Sequence, residues 1–102
     1  MSDRASLERR WLDLTKRILP GAAVERGWPV RDDHCFQRIL LDAACGGIWY
    51  DHVAGRPAYA HIDEAKLAAA TALAERVLAG TADLGDLNRR SLDWRRRRRR
   101  TA

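Results

Sequence analysis

Apolar residues recur every three or four positions in four stretches of this 102-residue chain. That spacing places them along one face of an α-helix. It predicts four helices, at residues 5–19, 33–45, 64–79 and 83–94. Breaks fall between them, at Pro20-Gly21, Gly46-Gly47 and Gly80. We therefore predict an all-α fold, a compact small bundle of about four helices with an aromatic-rich loop after the second helix.

An acidic residue precedes each predicted helix, at the position that caps free backbone N–H groups. These caps are Asp3, Asp32 or Asp33, Asp63 and Asp83. The expected core consists of the apolar faces, with Leu7, Trp11, Leu14, Ile18, Phe36, Ile39, Leu40, Ala43, Leu67, Ala70, Leu73, Ala74, Val77, Leu78, Leu84, Leu87 and Leu92. Residues 48–62 contain one short segment of strand propensity but no second strand to pair with it. We expect this loop to be irregular and packed by its aromatic side chains.

The net charge of +5 comes from one end of the chain. Six of the 19 basic residues lie at positions 95–100, which leaves 13 basic against 14 acidic residues before them. We predict a single helical domain over residues 1–94 and a flexible arginine-rich tail over residues 95–102. Runs of this kind either bind phosphate backbones without sequence preference or remain as solvated ends. The candidate nucleic-acid-binding residues are Arg95, Arg96, Arg97, Arg98, Arg99 and Arg100.

The densest chemistry lies in the stretch HCFQRILLDAACGGIWYDH, residues 34–52. Three polar residues of the second predicted helix, His34, Arg38 and Asp42, are spaced by four and share one stripe. If the following loop folds back along that helix, aromatic and polar groups would line a small-molecule pocket. The candidate ligand-binding residues are His34, Arg38, Asp42, Trp49, Tyr50, His52, Arg56 and Tyr59. The alternative is structural, with Arg38 and Asp42 as an ordinary surface pair and His34 simply exposed.

The two cysteines indicate neither a metal site nor a catalytic nucleophile. Nine residues separate Cys35 from Cys45, whereas zinc-binding cysteines are usually two to four residues apart. Cys45 lies at the end of a predicted helix, where the dipole opposes a thiolate and should raise the thiol pKa. Signatures of phosphate-binding loops, dinucleotide-binding folds, metalloproteases and serine hydrolases do not occur. We predict no catalytic residue and no metal ligand.

Two segments, RGWPVRDDHCFQRILLDAACGGIWYDHVAGRPAYAHI and DLGDLNRRSLDWR, resemble a family of small bacterial proteins, some of which are named GCN5-related N-acetyltransferases. The resemblance covers most of residues 7–94. Its specific part is the spacing of Trp28-Pro29, His34-Cys35-Phe36, Gly46-Gly47, Trp49-Tyr50-Asp51 and Arg56-Pro57. It implies a recurring domain and, where the family name describes the activity, acetyl-CoA as a cofactor. The acetyltransferase loop Arg/Gln-x-x-Gly-x-Gly/Ala is not matched by ACGGIW, so no acetyl-CoA-binding residue is carried over.

Location and function follow from these patterns as expectations. No apolar run is long enough to cross a membrane, and the first residues lack the apolar stretch of a signal peptide. We predict a cytoplasmic protein without a membrane partner, monomeric or dimeric. The leading hypothesis is a small helical binding or adaptor domain that recognises a protein partner. The alternatives are an acetyltransferase-related or other small-ligand-binding protein that uses the candidate ligand residues, and nucleic-acid anchoring through the arginine tail.

Overall fold

The computed structural model describes residues 3–101. Its elements are α1 (Arg4–Asp13), a π-helical turn (Leu14–Ile18), α2 (Leu19–Arg26), α3 (Asp33–Cys45), a 3-10 turn (Trp49–Asp51), α4 (Ala58–His61), α5 (Glu64–Ala79) and α6 (Leu84–Thr101). No strand occurs within residues 3–101, so the predicted all-α fold is confirmed. None of the helices in that range combines the length and the apolar character needed to span a bilayer.

The first helix does not end before Pro20, as its apolar pattern predicted. Proline lacks a backbone N–H, and its ring collides with the carbonyl four residues earlier in a regular α-helix. The π-helical turn before Pro20 widens the helix at this point, with the Leu19 N–H donating to the Leu14 carbonyl. α2 then continues to Gly27, whose left-handed backbone (φ 69°) ends it. The connection to α3 is therefore shorter than predicted, and Ala23 joins the core.

The core lies between the α1–α2 helix, α3 and α5, and its largest members are Trp11 and Phe36, both fully buried. Most of the predicted core is confirmed as buried or packed against buried residues. Two members differ: Leu92 is 41% exposed on α6, and Ala43 is only half-buried and lies outside the core cluster. The capping carboxylates of Asp3, Asp63 and Asp83 accept the expected hydrogen bonds from backbone N–H groups in the first turns that follow.

α6 is longer than predicted, because it runs to Thr101 and not to residue 94. Arg95 and Arg98 project from successive turns toward the rest of the protein, where Asp42 and Asp51 accept hydrogen bonds from them. These contacts give the arginine run tertiary support against its own like-charge repulsion. The structure thus places the run on a helix, while the flexibility of the tail in solution stays a prediction.

The loop after α3 folds back over that helix, which is the condition for the predicted pocket. Gly46 ends α3 in a left-handed conformation (φ 71°), and Ile48 and Val53 are then buried against the rest of the protein. Gly55 has φ 126°, and a Cβ at this position would lie 2.8 Å from the His61 ring, so the close approach requires glycine. The result places Trp49 and the segment before α4 beside the first half of α3.

Candidate functional site

A cavity of about 290 Å³ lies between α3 and the loop that follows it. Its lining residues are His34, Gln37, Arg38, Leu41, Trp49, Arg56, Pro57 and Ala58. Four of the eight predicted ligand-binding residues are among them. The spacing of His34 and Arg38 on one helical stripe brought these two together, and the folded-back loop adds Trp49 and Arg56.

Arg38 is held in a fixed position by α6. Its two terminal nitrogens donate to Ser91 Oγ at 2.7 Å and to Asn88 Oδ1 at 2.9 Å. Ser91 is fully buried, so this end of the guanidinium is anchored in the protein interior. A guanidinium carries five N–H donors in a planar fork, and these two bonds leave others for a ligand.

Arg56 and Trp49 form the other side of the cavity. The Arg56 guanidinium carbon lies 5.1 Å from the centroid of the Trp49 ring, the geometry of a cation–π contact. Trp49 is half-buried, and its backbone N–H donates to Asp42 Oδ1 at 2.9 Å. The indole is therefore placed by the loop, while the exposed Arg56 side chain lies over it.

Asp42 does not line the cavity, and the expectation of an ordinary surface pair with Arg38 is wrong because Asp42 is fully buried. Its carboxylate accepts hydrogen bonds from Ser91 Oγ at 2.6 Å and from Arg95 Nε at 3.0 Å on Oδ2. The other oxygen accepts from the Trp49 N–H and from the second Arg95 nitrogen at 3.2 Å. A buried charge needs such pairing. Asp42 thus joins α3, the 3-10 turn and α6.

The other three predicted ligand residues lie outside the cavity lining. Tyr50 faces α6, with its ring centroid 5.4 Å from the Arg95 guanidinium and 5.9 Å from that of Arg98. Tyr59 is half-buried against the core. His52 directly follows the 3-10 turn and is exposed. The structure therefore separates these three from His34 and Arg38.

The lining of the cavity carries basic but no acidic side chains. Two carboxylates behind the lining contact its backbone. Asp42, which is paired with Arg95, accepts from the Trp49 N–H at 2.9 Å, and Asp33 Oδ1 accepts from the His34 N–H at 2.8 Å. The bond from the His34 N–H is the main reason why the pKa of Asp33 is lowered, so this carboxylate stays ionised. Lys16 Nζ lies 3.6 Å from the Asp33 carboxylate and offsets its charge. The site therefore favours an anion over a cation.

A cluster of potential metal ligands lies at the start of α3, and the spacing of the two cysteines did not indicate it. One ligand-type atom each of Asp32, His34 and Cys35 lies within 4.8 Å of the others. The short pattern Asp-x-His-Cys is the sequence signal that could have indicated it. However, the cluster lies at a helix N-terminus, where the dipole opposes a cation, and two of its three residues are exposed.

The cysteines are free and half-buried. Burial raises the pKa of the Cys45 thiol, and the negative charge of Asp42 adds to the effect. The predicted direction of this shift is confirmed, although burial rather than the helix dipole is its main cause.

The six arginines predicted to bind nucleic acid divide into three groups. Arg95 and Arg98 contact Asp42 and Asp51 on other elements, and Arg97 pairs with Asp93 of α6 itself at 2.6 Å. The side chains of Arg96, Arg99 and Arg100 are exposed. No family model, curated protein or solved structure matches this chain. The resemblance to acetyltransferase-named proteins and the acetyl-CoA expectation therefore stay predictions.

Proposed function

We propose that this chain is a small binding domain whose cavity takes a small organic anion with a flat apolar group. The observation that carries the proposal is the lining, which combines Arg38, Arg56 and His34 with the Trp49 indole and has no acidic side chain. Ligand pockets commonly have predominantly apolar walls with a few placed polar groups. The volume of about 290 Å³ is near the lower end of the usual range, which suits a single ring bearing a carboxylate or phosphate.

Preorganisation supports an anion as the ligand. Because Asn88 and Ser91 already fix the Arg38 guanidinium, little side-chain entropy is lost when an anion binds to it. Arginine forms paired hydrogen bonds to carboxylate and phosphate. The flat group would lie against the Trp49 ring and the apolar side chains of Leu41 and Pro57.

The test uses two probes of similar shape and opposite charge, phenyl phosphate and benzylammonium. We expect phenyl phosphate to shift the NMR signals of the Trp49 indole N–H saturably, and benzylammonium to leave them unchanged. R56Q should weaken phenyl phosphate binding about tenfold, since a hydrogen bond to a charged group contributes about 1.5 kcal/mol or more. R31Q is the control, because Arg31 is exposed and lies outside the cavity lining. Equal binding of both probes, or equal loss in both variants, would overturn the proposal.

An adaptor role, the leading prediction from the sequence, has a separate observation in its favour. A second cavity of about 340 Å³ is lined mainly by apolar groups, among them Trp28, Val30, Val77 and Leu84. A cavity of this character suits an apolar side chain of a protein partner better than a small anion. Acetyl-CoA, which the family resemblance implies, belongs in the same titration as the two probes. Shifts at Trp28 with unchanged signals at Trp49 would favour the adaptor role.

A further inference from the structure

We propose that three arginines of α6, Arg96, Arg99 and Arg100, form a binding face for the phosphate backbone of double-stranded nucleic acid. We call them the outer arginines. Arg95 and Arg98, the inner arginines, do not bind in this proposal but hold α6 in place. The inference differs from anchoring by the whole tail, because it assigns opposite roles to members of one run. It is independent of the proposed function, which concerns a different surface.

The inner arginines are engaged within the protein. Arg95 binds both oxygens of the fully buried Asp42 and is itself only 22% exposed. Arg98 forms an ion pair with Asp51, which raises the pKa of the guanidinium. Both also lie over the Tyr50 ring. Their charges are therefore compensated by groups of the same chain.

These contacts fix the rotation of α6 and so decide where the outer arginines lie. Successive residues of an α-helix are turned by about 100°. The outer arginines therefore fall within an arc of about 100°, which begins about 40° beyond Arg95 and ends on the side of α6 opposite Ser91. All three outer side chains are exposed. A disordered tail would not sort its charges in this way.

The acidic residues of α6 pair with arginines outside the outer group. Asp86 lies 3.5 Å from Arg89 and 3.1 Å from Arg90, and Asp93 lies 2.6 Å from Arg97. The sequence has no acidic residue after Asp93. Like charges three and four residues apart destabilise a helix. A polyanion bound along this face would relieve that repulsion and release its own counterions.

The chemistry of the face favours duplex nucleic acid over the other polyanionic surfaces. Arginine forms bidentate bonds to phosphate, and a duplex presents about one charge per 1.7 Å of its axis to a straight helix. A membrane-binding helix needs an apolar face to insert, whereas Leu92 is the one large apolar side chain exposed on α6 within the described residues. Single strands bind through stacking aromatics, and the outer face has none. Because no group there reads base edges, binding should be independent of sequence.

The experiment measures binding of the full chain to two 20-base-pair DNA duplexes of unrelated sequence by fluorescence anisotropy. We expect equal affinities, and a decrease of log K with log salt concentration of slope about −3 for three phosphate contacts. R96Q/R99Q/R100Q should weaken binding at least about tenfold at low salt and flatten the slope. Its helix content should be kept, because the inner arginines remain.

The control is R9Q/R26Q/R31Q, which removes the same charge from exposed arginines of other segments. We expect it to weaken binding less than about threefold, because distant surface charges are screened by salt. An equal loss in both triple variants would show a mere net-charge effect and overturn the proposal. So would tighter binding to single-stranded DNA of the same length, or retention on vesicles of anionic lipid without duplex binding.

Discussion

A single carboxylate, that of Asp42, carries an unusual share of the contacts between separate elements of this protein. It is fully buried and accepts hydrogen bonds from the backbone of Trp49 and from the side chains of Ser91 and Arg95. An isolated carboxylate would be too costly to bury, so these donors are a condition for its position. Removing it would leave several donors without an acceptor in the interior.

We therefore expect D42A to lower the free energy of unfolding by about 3 kcal/mol, because breaking a buried ion pair from one side leaves the other charge unpaired. Urea denaturation followed by circular dichroism measures the change. D51N is the control. Asp51 pairs at the surface with Arg98, which lies on α6 like Arg95, and such surface pairs contribute about 1 kcal/mol at most. A D42A loss no larger than that of D51N would contradict the assigned role.

Cys45 provides a second prediction at the residue scale. Burial raises the pKa of its thiol, and only the thiolate reacts with alkylating reagents. In the C35S variant we expect alkylation of Cys45 by iodoacetamide to be slower at pH 8 than that of an unstructured cysteine peptide. The rate should keep rising at pH values where the peptide has levelled off. Reaction at the peptide rate in the folded protein would show that the thiol is not shielded.

The end of α6 depends on contacts with distant parts of the chain, which gives a prediction for this helix. In R95Q/R98Q the bonds to Asp42 and Asp51 are lost, so we expect faster amide hydrogen exchange at residues 96–100. R96Q/R99Q changes the same number of charges on the outer face. There we expect exchange to be unchanged or slower, because like-charge repulsion falls. Equal acceleration in both variants would mean that the inner contacts do not hold the helix.

The same dependence explains which elements the sequence could predict. α5 matches its predicted range because a capping aspartate, Asp63, and a terminal glycine, Gly80, act locally. The predicted end of α6 was wrong because the last turns of this helix are held by residues about fifty positions away in the sequence. The predicted end of the first helix was also wrong. A π-helical turn accommodates Pro20, and such a turn has no simple sequence signal.

The candidate site shows the same division between local and long-range information. A four-residue spacing on α3 was enough to place His34 and Arg38 on one cavity. It could not show that Asp42, one turn further along, points into the interior, because that depends on where α6 packs. The division of the arginine run also depends on long-range contacts, because Arg95 and Arg98 are the members that bind Asp42 and Asp51.

At the scale of the whole molecule, the cavity and α6 are parts of one connected network. Arg38 lines the cavity and donates to Ser91, and the Ser91 hydroxyl donates in turn to Asp42. Asp42 then holds Arg95 and, through the backbone of Trp49, the opposite side of the cavity. The two proposed surfaces therefore share their support, although their ligands and tests differ.

Acid should destabilise the whole fold through its paired carboxylates. The pKa values of Asp3, Asp13 and Asp33 are lowered from 3.8 by bonds from the Ser6 N–H, from Arg17 and from the His34 N–H, respectively. When the pKa of a carboxyl is lower in the folded than in the unfolded state, the unfolded chain binds the proton first as the pH falls. This stabilisation is therefore complete above about pH 4 and is lost as the pH falls through the folded values.

We expect the melting temperature to be nearly constant from pH 7 to pH 5 and to fall below pH 4. D13N should show a shallower fall, because its folded and unfolded states no longer differ in proton uptake at that position. An equally steep fall in D13N would assign the acid sensitivity to other groups.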